Sequence, residues 1–285
     1  MKYFKHLKFK DWNDFKELAE KSKINWIYRG HSNSKWDLKS TLDRSNINEN
    51  NIDYEERVLI DFKRGINLYI KDEFSPKTDL EYYSLLQHFG APTRLLDFTK
   101  SPYIAAYFAF EKTNDKIKEI AIWIVDKIQL YGHCLNYFSK NKINLEYNFP
   151  RTYNFNDNNY SEIIKESKKR NLNCIIPIEP DRLNRRYYLQ QSIFLVQGNP
   201  SLFFFKQSNF VPRDKINYTF IKVTLPSSEK SKAIKDLQKM NISRATLFPD
   251  LAGYTESLRL KYTNLTSIKE MSDSIDYSRS RNLEK

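Results

Sequence analysis

The chain has 285 residues, 40% of them hydrophobic, and Lys plus Arg exceed Asp plus Glu by 12. That length builds one large domain or two small ones, with enough apolar residues for a sizeable core. Two cysteines without a CxxC pair, four histidines and no apolar run near about 20 residues argue against a disulfide framework, a metal site and a membrane span.

The first ten residues are broken too often by charge to form a signal-peptide core, so a cytoplasmic protein is expected. The basic excess suits polyanions or acidic partners. It fits equally a composition rich in Lys, Asn and Ile, and no block of five basic residues occurs. Nothing in the sequence sets the oligomeric state.

The predicted elements run as follows. Asp11 caps a helix with Trp12, Phe15, Leu18 and Ala19 on its apolar stripe. Asn25–Gly30 reads as a buried strand with Arg29 at its exit, and Trp36–Leu42 as a second extended piece. Apolar spacing over Ile52–Ile70 predicts a helix. Leu80–His88 is another, stopped by Gly90 and Pro92. Ser101-Pro102 opens an almost wholly apolar helix to Lys112. Strands are expected at Ile120–Val125, Cys174–Ile178, Ser192–Gln197, Leu202–Phe205 and Tyr218–Leu225, and helices at Ser228–Met240 and Leu251–Tyr262. Residues 139–170 read as an Asn-rich surface insertion, and 266–285 as a polar tail behind a domain of 1–265. Helices lead and strands dominate the second half, so the fold class is α+β, with N-terminal helices packed on a mixed or antiparallel sheet.

Four segments carry a resemblance to the FRG-domain family: Trp26-Ile-Tyr-Arg-Gly30 with Trp36-Asp-Leu, Gln87-His-Phe-Gly-Ala-Pro-Thr-Arg-Leu-Leu-Asp97, Ser101-Pro-Tyr-Ile-Ala-Ala-Tyr-Phe-Ala109, and Leu247-Phe-Pro-Asp-Leu251 with Gly253. A fifth, Gln190-Gln-Ser-Ile-Phe194, has Ser192 where the family has Gly. The order of motifs is also similar to ADP-ribosyltransferases of the Arg-Ser-Glu type. That likeness implies a split sheet, NAD as substrate, Arg29 on its phosphates and Thr99 or Ser101 near the nicotinamide ribose. The catalytic Glu of those enzymes is replaced by Gln190-Gln191, and Gln cannot carry the charge that steadies an oxocarbenium-like ribose. Bacterial members of this kind would serve as toxins or antiphage effectors.

Residue by residue, two readings stay open. Arg29 grips a phosphate or pairs with Asp97; Tyr28 and Gly30 flank it as core or as ligand contacts. His88 is a general acid or base, or a brace for its turn. Thr93, Arg94 and Asp97 contact a nucleotide or form a buried polar network. Thr99 and Ser101 touch a ribose, or Ser101 caps its helix. Gln190 and Gln191 meet ligand hydroxyls or solvent, and Asp250 is catalytic or a helix cap. Walker, GxGxxG, HExxH and GxSxG motifs are missing. Three functions follow: an ADP-ribosyltransferase-like protein with a protein or nucleic-acid acceptor, a non-catalytic nucleotide or nucleic-acid module, or a nuclease or other hydrolase using His88 and Asp97.

Overall fold

In a computed structural model, residues 4–45, 53–70, 75–144, 155–182, 184–199 and 218–263 are described. The β-branched and aromatic runs pair into one sheet of seven strands among these residues: β1 Lys5–Lys8, β2 Trp26–His31, β3 Leu95–Thr99, β4 Glu119–Asp126, β5 Ile175–Ile178, β6 Ser192–Gln197 and β7 Phe220–Pro226. Their order is β1-β7-β4-β2-β3-β6-β5. Only β1 and β7 are parallel; every other neighbouring pair is antiparallel. The helices are α1 Trp12–Glu20, α2 Thr41–Arg44, α3 Tyr54–Gly65, α4 Asp79–His88, α5 Pro102–Glu111, α6 Lys127–Lys140, α7 Asp157–Lys169, α8 Arg185–Leu189, α9 Lys230–Lys239, α10 Arg244–Leu247 and α11 Leu251–Thr263. The class is α+β with a mixed sheet. None of these helices is long and apolar enough to cross a membrane.

Strand alternation distributes the core over two faces. One face of the sheet buries Ile27, Trp123, Val125, Leu96, Phe98, Ile193 and Leu195 in a continuous layer. The opposite face carries two separate clusters. Ile120, Ile122 and Ile124 of β4 pack with α1, α5 and α9. Leu95, Phe194 and Val196 pack with α4, α6 and α7. The boundary between these clusters lies where β2 meets β3.

Two devices hold that boundary. Tyr28 and Gly30 face α5, and a Cβ on Gly30 would stand 2.0 Å from the carbonyl oxygen of Ala105 and 2.7 Å from the nitrogen of Ala109. Gly30 and the fully buried Ala105 and Ala109 therefore let helix backbone rest directly on strand backbone. On the other side Arg94 is buried against Glu55, with Nη2 and Nε each 2.5 Å from Oε2 and its backbone N–H donating to Oε1 at 2.9 Å. Burial opposes the Arg94 charge, but Glu55 outweighs it and holds the guanidinium above its ordinary pKa.

Several expectations change. Strands do not gather in the second half: β1 to β4 all precede Lys127. Trp36–Leu42 forms no strand, because Ser40 caps α2 through a capping box with Asp43. Part of the supposed insertion 139–170 is core: Phe155, Tyr160 and Ile163 are 1%, 0% and 0% exposed. Asn156 caps α7 there, so local Asn content marks a helix start as well as loops. Helix α6 adds an element beyond those expected, with Leu130, Tyr131, Cys134 and Phe138 as its buried stripe. The run 202–205 and the tail 266–285 lie outside the described residues.

Gly30→Ala must push α5 off the sheet, and a urea titration should show a loss of roughly 3 kcal/mol or more. Arg94→Met should lower stability by about 3–5 kcal/mol by stranding the Glu55 charge. Adding Glu55→Leu to that variant should restore most of the loss, read from the same titration.

Candidate functional site

β2 and β3 register at one position, Tyr28 opposite Thr99. Beyond it the ladder ends and the strands part, which leaves strand-edge backbone groups to be satisfied by side chains. Arg29 does this: Nη1 donates to the Asp97 carbonyl at 2.5 Å, and Nε donates to His31 Nε2 at 3.2 Å. The Asp97 carboxylate stands 3.9 Å away. Burial, opposed by Asp97, draws the Arg29 pKa down to about 10, so it remains a cation at neutral pH. Burial and then Arg29 press His31 down to about 3. His31 is thus a neutral acceptor toward Arg29.

On one side of Arg29 lies a narrow lobe of about 230 Å³. Gln87 Nε2 donates to Asp97 Oδ1 at 2.6 Å, and Thr93 Oγ1 donates to Gln87 Oε1. This chain orients the Asp97 carboxylate, which is 50% exposed. Arg186 Nη1 donates to His88 Nδ1 at 3.0 Å. Burial, then Arg186, lower the His88 pKa, so the imidazole is neutral near pH 7. The lobe therefore offers two guanidinium groups, a carboxylate and a neutral histidine.

On the other side opens a wide lobe of about 840 Å³ that shares Arg29, Arg186 and Phe248 with the first. Phe248 lies beneath two guanidinium groups, with Arg186 4.5 Å and Arg244 4.4 Å from its ring centroid. Arg244 also pairs with Glu111 at 2.7 Å. Gly253 seats α11 against this ring, because a Cβ there would meet Phe248 Cβ at 2.3 Å.

Of the residues expected from sequence, Tyr28, Arg29, Gly30, His88, Asp97, Thr99 and Gln190 come together around the narrow lobe. Asp250 lines the wide one, where Oδ1 also accepts from the Gly253 N–H at 2.6 Å. Thr93, Arg94, Ser101 and Gln191 line neither. Ser101 caps α5 through the Ile104 N–H at 3.3 Å, and Thr99 Oγ1 donates to the Gln190 carbonyl at 2.7 Å. Gln190 Nε2 donates to the Leu247 carbonyl at 3.0 Å, which ties α8 to α10. Gln191 sits at φ 49° while its carbonyl accepts from the Lys100 N–H at 3.0 Å. Sequence reasoning missed Arg186, Gln87, Phe248, Arg244, Glu111 and Trp36 as site residues. Gln87, Phe248 and Trp36 stand inside the quoted motifs; Arg186 carried no local signal.

Residues 24–118 match the sequence profile described as the FRG domain. The chain carries an FRG domain. That match takes in β2, Arg94, β3 and α5, hence both Arg29 and the Gly30 contact; Arg186, Gln190 and Phe248 lie beyond it. No curated protein and no solved structure matches the chain.

The segments around α8 and α10 thus meet through the Gln190 amide. Gln190→Glu puts a carboxylate against the Leu247 carbonyl, where it has no proton to donate at neutral pH. Thermal and urea unfolding should show a loss of about 1–3 kcal/mol, with recovery as the pH falls and the carboxyl protonates.

Proposed function

We propose that the cleft binds a nucleotide with a pyrophosphate, NAD foremost, and that this protein is an ADP-ribosyltransferase-like consumer of NAD. The observation that carries the reading is the split of β2 from β3 with Arg29 set in the gap. Arg29 is cationic, held by a carbonyl and a neutral histidine, and keeps fork positions for phosphate oxygens. Arg186 approaches the same point from α8. Asp97, oriented by Gln87, takes the ribose hydroxyls in this reading, rather than the engaged Thr99 and Ser101. The bond between ribose and nicotinamide breaks, and the Asp97 carboxylate steadies the positive charge that grows on the ribose. Water or a protein or nucleic-acid nucleophile then joins the ribose carbon and gives up its proton. A toxin or antiphage effector is a role such an activity would suit.

A second reading, a nucleotide-binding module without chemistry, is favoured by Gln190, whose amide is committed to Leu247. Calorimetric titration of NAD, followed by mass spectrometry of the mixture, separates the two. Wild type should bind NAD and release nicotinamide, and Arg29→Lys, which keeps the charge but loses the fork, should bind roughly ten- to a hundredfold more weakly. Binding without nicotinamide release selects the module, and no NAD binding by folded wild type rejects both nucleotide readings.

A further inference from the structure

The aromatic side chains of the wide lobe differ in what they have left to offer. Phe248 is covered by Arg186 and Arg244. Phe108 stands edge-on to Phe248 at 6.0 Å. Trp36 is different: 53% of it is exposed, and among the described residues its one ring contact is an edge-on approach to His31 at 6.2 Å and 66°. An indole with an open face on a cleft wall loses hydrophobic burial that a stacked partner would restore.

The turn that presents Trp36 is anchored from both sides. The Ser34 N–H donates to the Glu119 carbonyl at 2.9 Å, and the Ser34 carbonyl accepts from Lys222 Nζ at 2.6 Å. The Trp36 N–H closes the turn on the Asn33 carbonyl at 3.1 Å. Around the same lobe stand Lys35, Arg44 and Lys112, none of which forms an ion pair among the described residues. Arg44 lies close enough to depress the pKa of Arg29. Of the three acids of the lobe, Glu111 is taken by Arg244, Asp250 accepts the Gly253 N–H, and Asp37, beside Trp36, forms no ion pair among the described residues, so the cations Lys35, Arg44 and Lys112 outnumber the one uncommitted acid.

We infer that the wide lobe is a single-stranded nucleic-acid site, in which one unpaired base stacks on Trp36 and the flanking phosphates meet Lys35, Arg44 and Lys112. A fixed aromatic face combined with unpaired cations is the chemistry that holds a single strand. A duplex presents its bases edge-on and keeps their faces stacked, so Trp36 discriminates against it. The net charge of +12 acts in the same direction at long range. The wide lobe has more than three times the volume of the narrow one, room enough for a base stacked on Trp36 with its flanking phosphates. This inference goes beyond the NAD reading and holds without it.

The test is fluorescence anisotropy of a labelled thymidine oligomer of about 12 nucleotides, within the usual site size, over a salt series. NAD titrations run in parallel on the same proteins. Trp36→Ala, at an exposed position, should keep its melting temperature and bind the oligomer roughly five- to a hundredfold more weakly, while Trp36→Phe retains most of the affinity. Arg44→Ala should lower the salt slope by about one, and Lys140→Ala, at the end of α6 outside both lobes, should change nothing. Equal binding by Trp36→Ala and wild type, or a duplex bound as tightly as the single strand, overturns the inference. A Trp36→Ala loss confined to NAD also overturns it and gives the lobe to the dinucleotide. Wild-type binding of the oligomer with no binding of NAD leaves this site standing and removes only the NAD proposal.

Discussion

The cleft depends on a backbone-to-backbone contact that only glycine permits. At Gly30 the axis of α5 comes so near β2 that any side chain would occupy the space of the Ala105 carbonyl. Because Ser101 caps α5 directly after β3, seating the helix there also fixes where β3 ends and how it approaches β2. The two strands touch at Tyr28 and Thr99 and then separate. The opening is therefore a consequence of close packing next door.

Two arginines near this opening meet opposite fates. Arg94 is enclosed with Glu55, both side chains 6% exposed, and its charge is spent inside the fold. Such a pair costs much to break and adds little when made, so its value lies in fixing α3 against β3. Arg29 is given a carbonyl, a neutral imidazole and a carboxylate at 3.9 Å. None of these neutralises it closely. Arg186 beside it shares a histidine and an aromatic face instead of an acid. The result is a concentration of positive potential in a partly buried place, where electrostatic interactions are less screened than at an open surface.

Most residues of the quoted motifs serve the frame of the site. Gly30, Ala105 and Ala109 make close packing possible; Thr93 and Gln87 orient Asp97; Thr99 fastens the segment before β6; Gln190 fastens α10, which delivers Phe248. The side chains left facing the cleft come from distant stretches: Arg29, Asp97, His88, Arg186 and Trp36. A frame built this way tolerates different chemistries at its mouth, because the groups that meet a ligand are few and come from separate elements.

By itself the sequence determined the elements whose signals are local. Asp11, Ser101 and Gly90 mark where helices start and stop, and the apolar runs of β2, β4 and β6 announce strands within a residue or two. It also marked Arg29, His88, Asp97 and Gln190 as residues of one site, since they sit in recognisable motifs. What it did not contain was their division of labour. Whether Arg94 or Arg29 keeps its charge for a ligand depends on Glu55, some 40 residues away in the chain, and on a strand pairing that stops after one position. Arg186 and Arg244 join the site through the stacking of α8 and α10 on Phe248, and α7 enters the core despite its polar sequence. Those assignments were decided by the tertiary structure alone, because the pairing of a charge and the burial of a face are properties of neighbours brought together in space, not of neighbours along the chain.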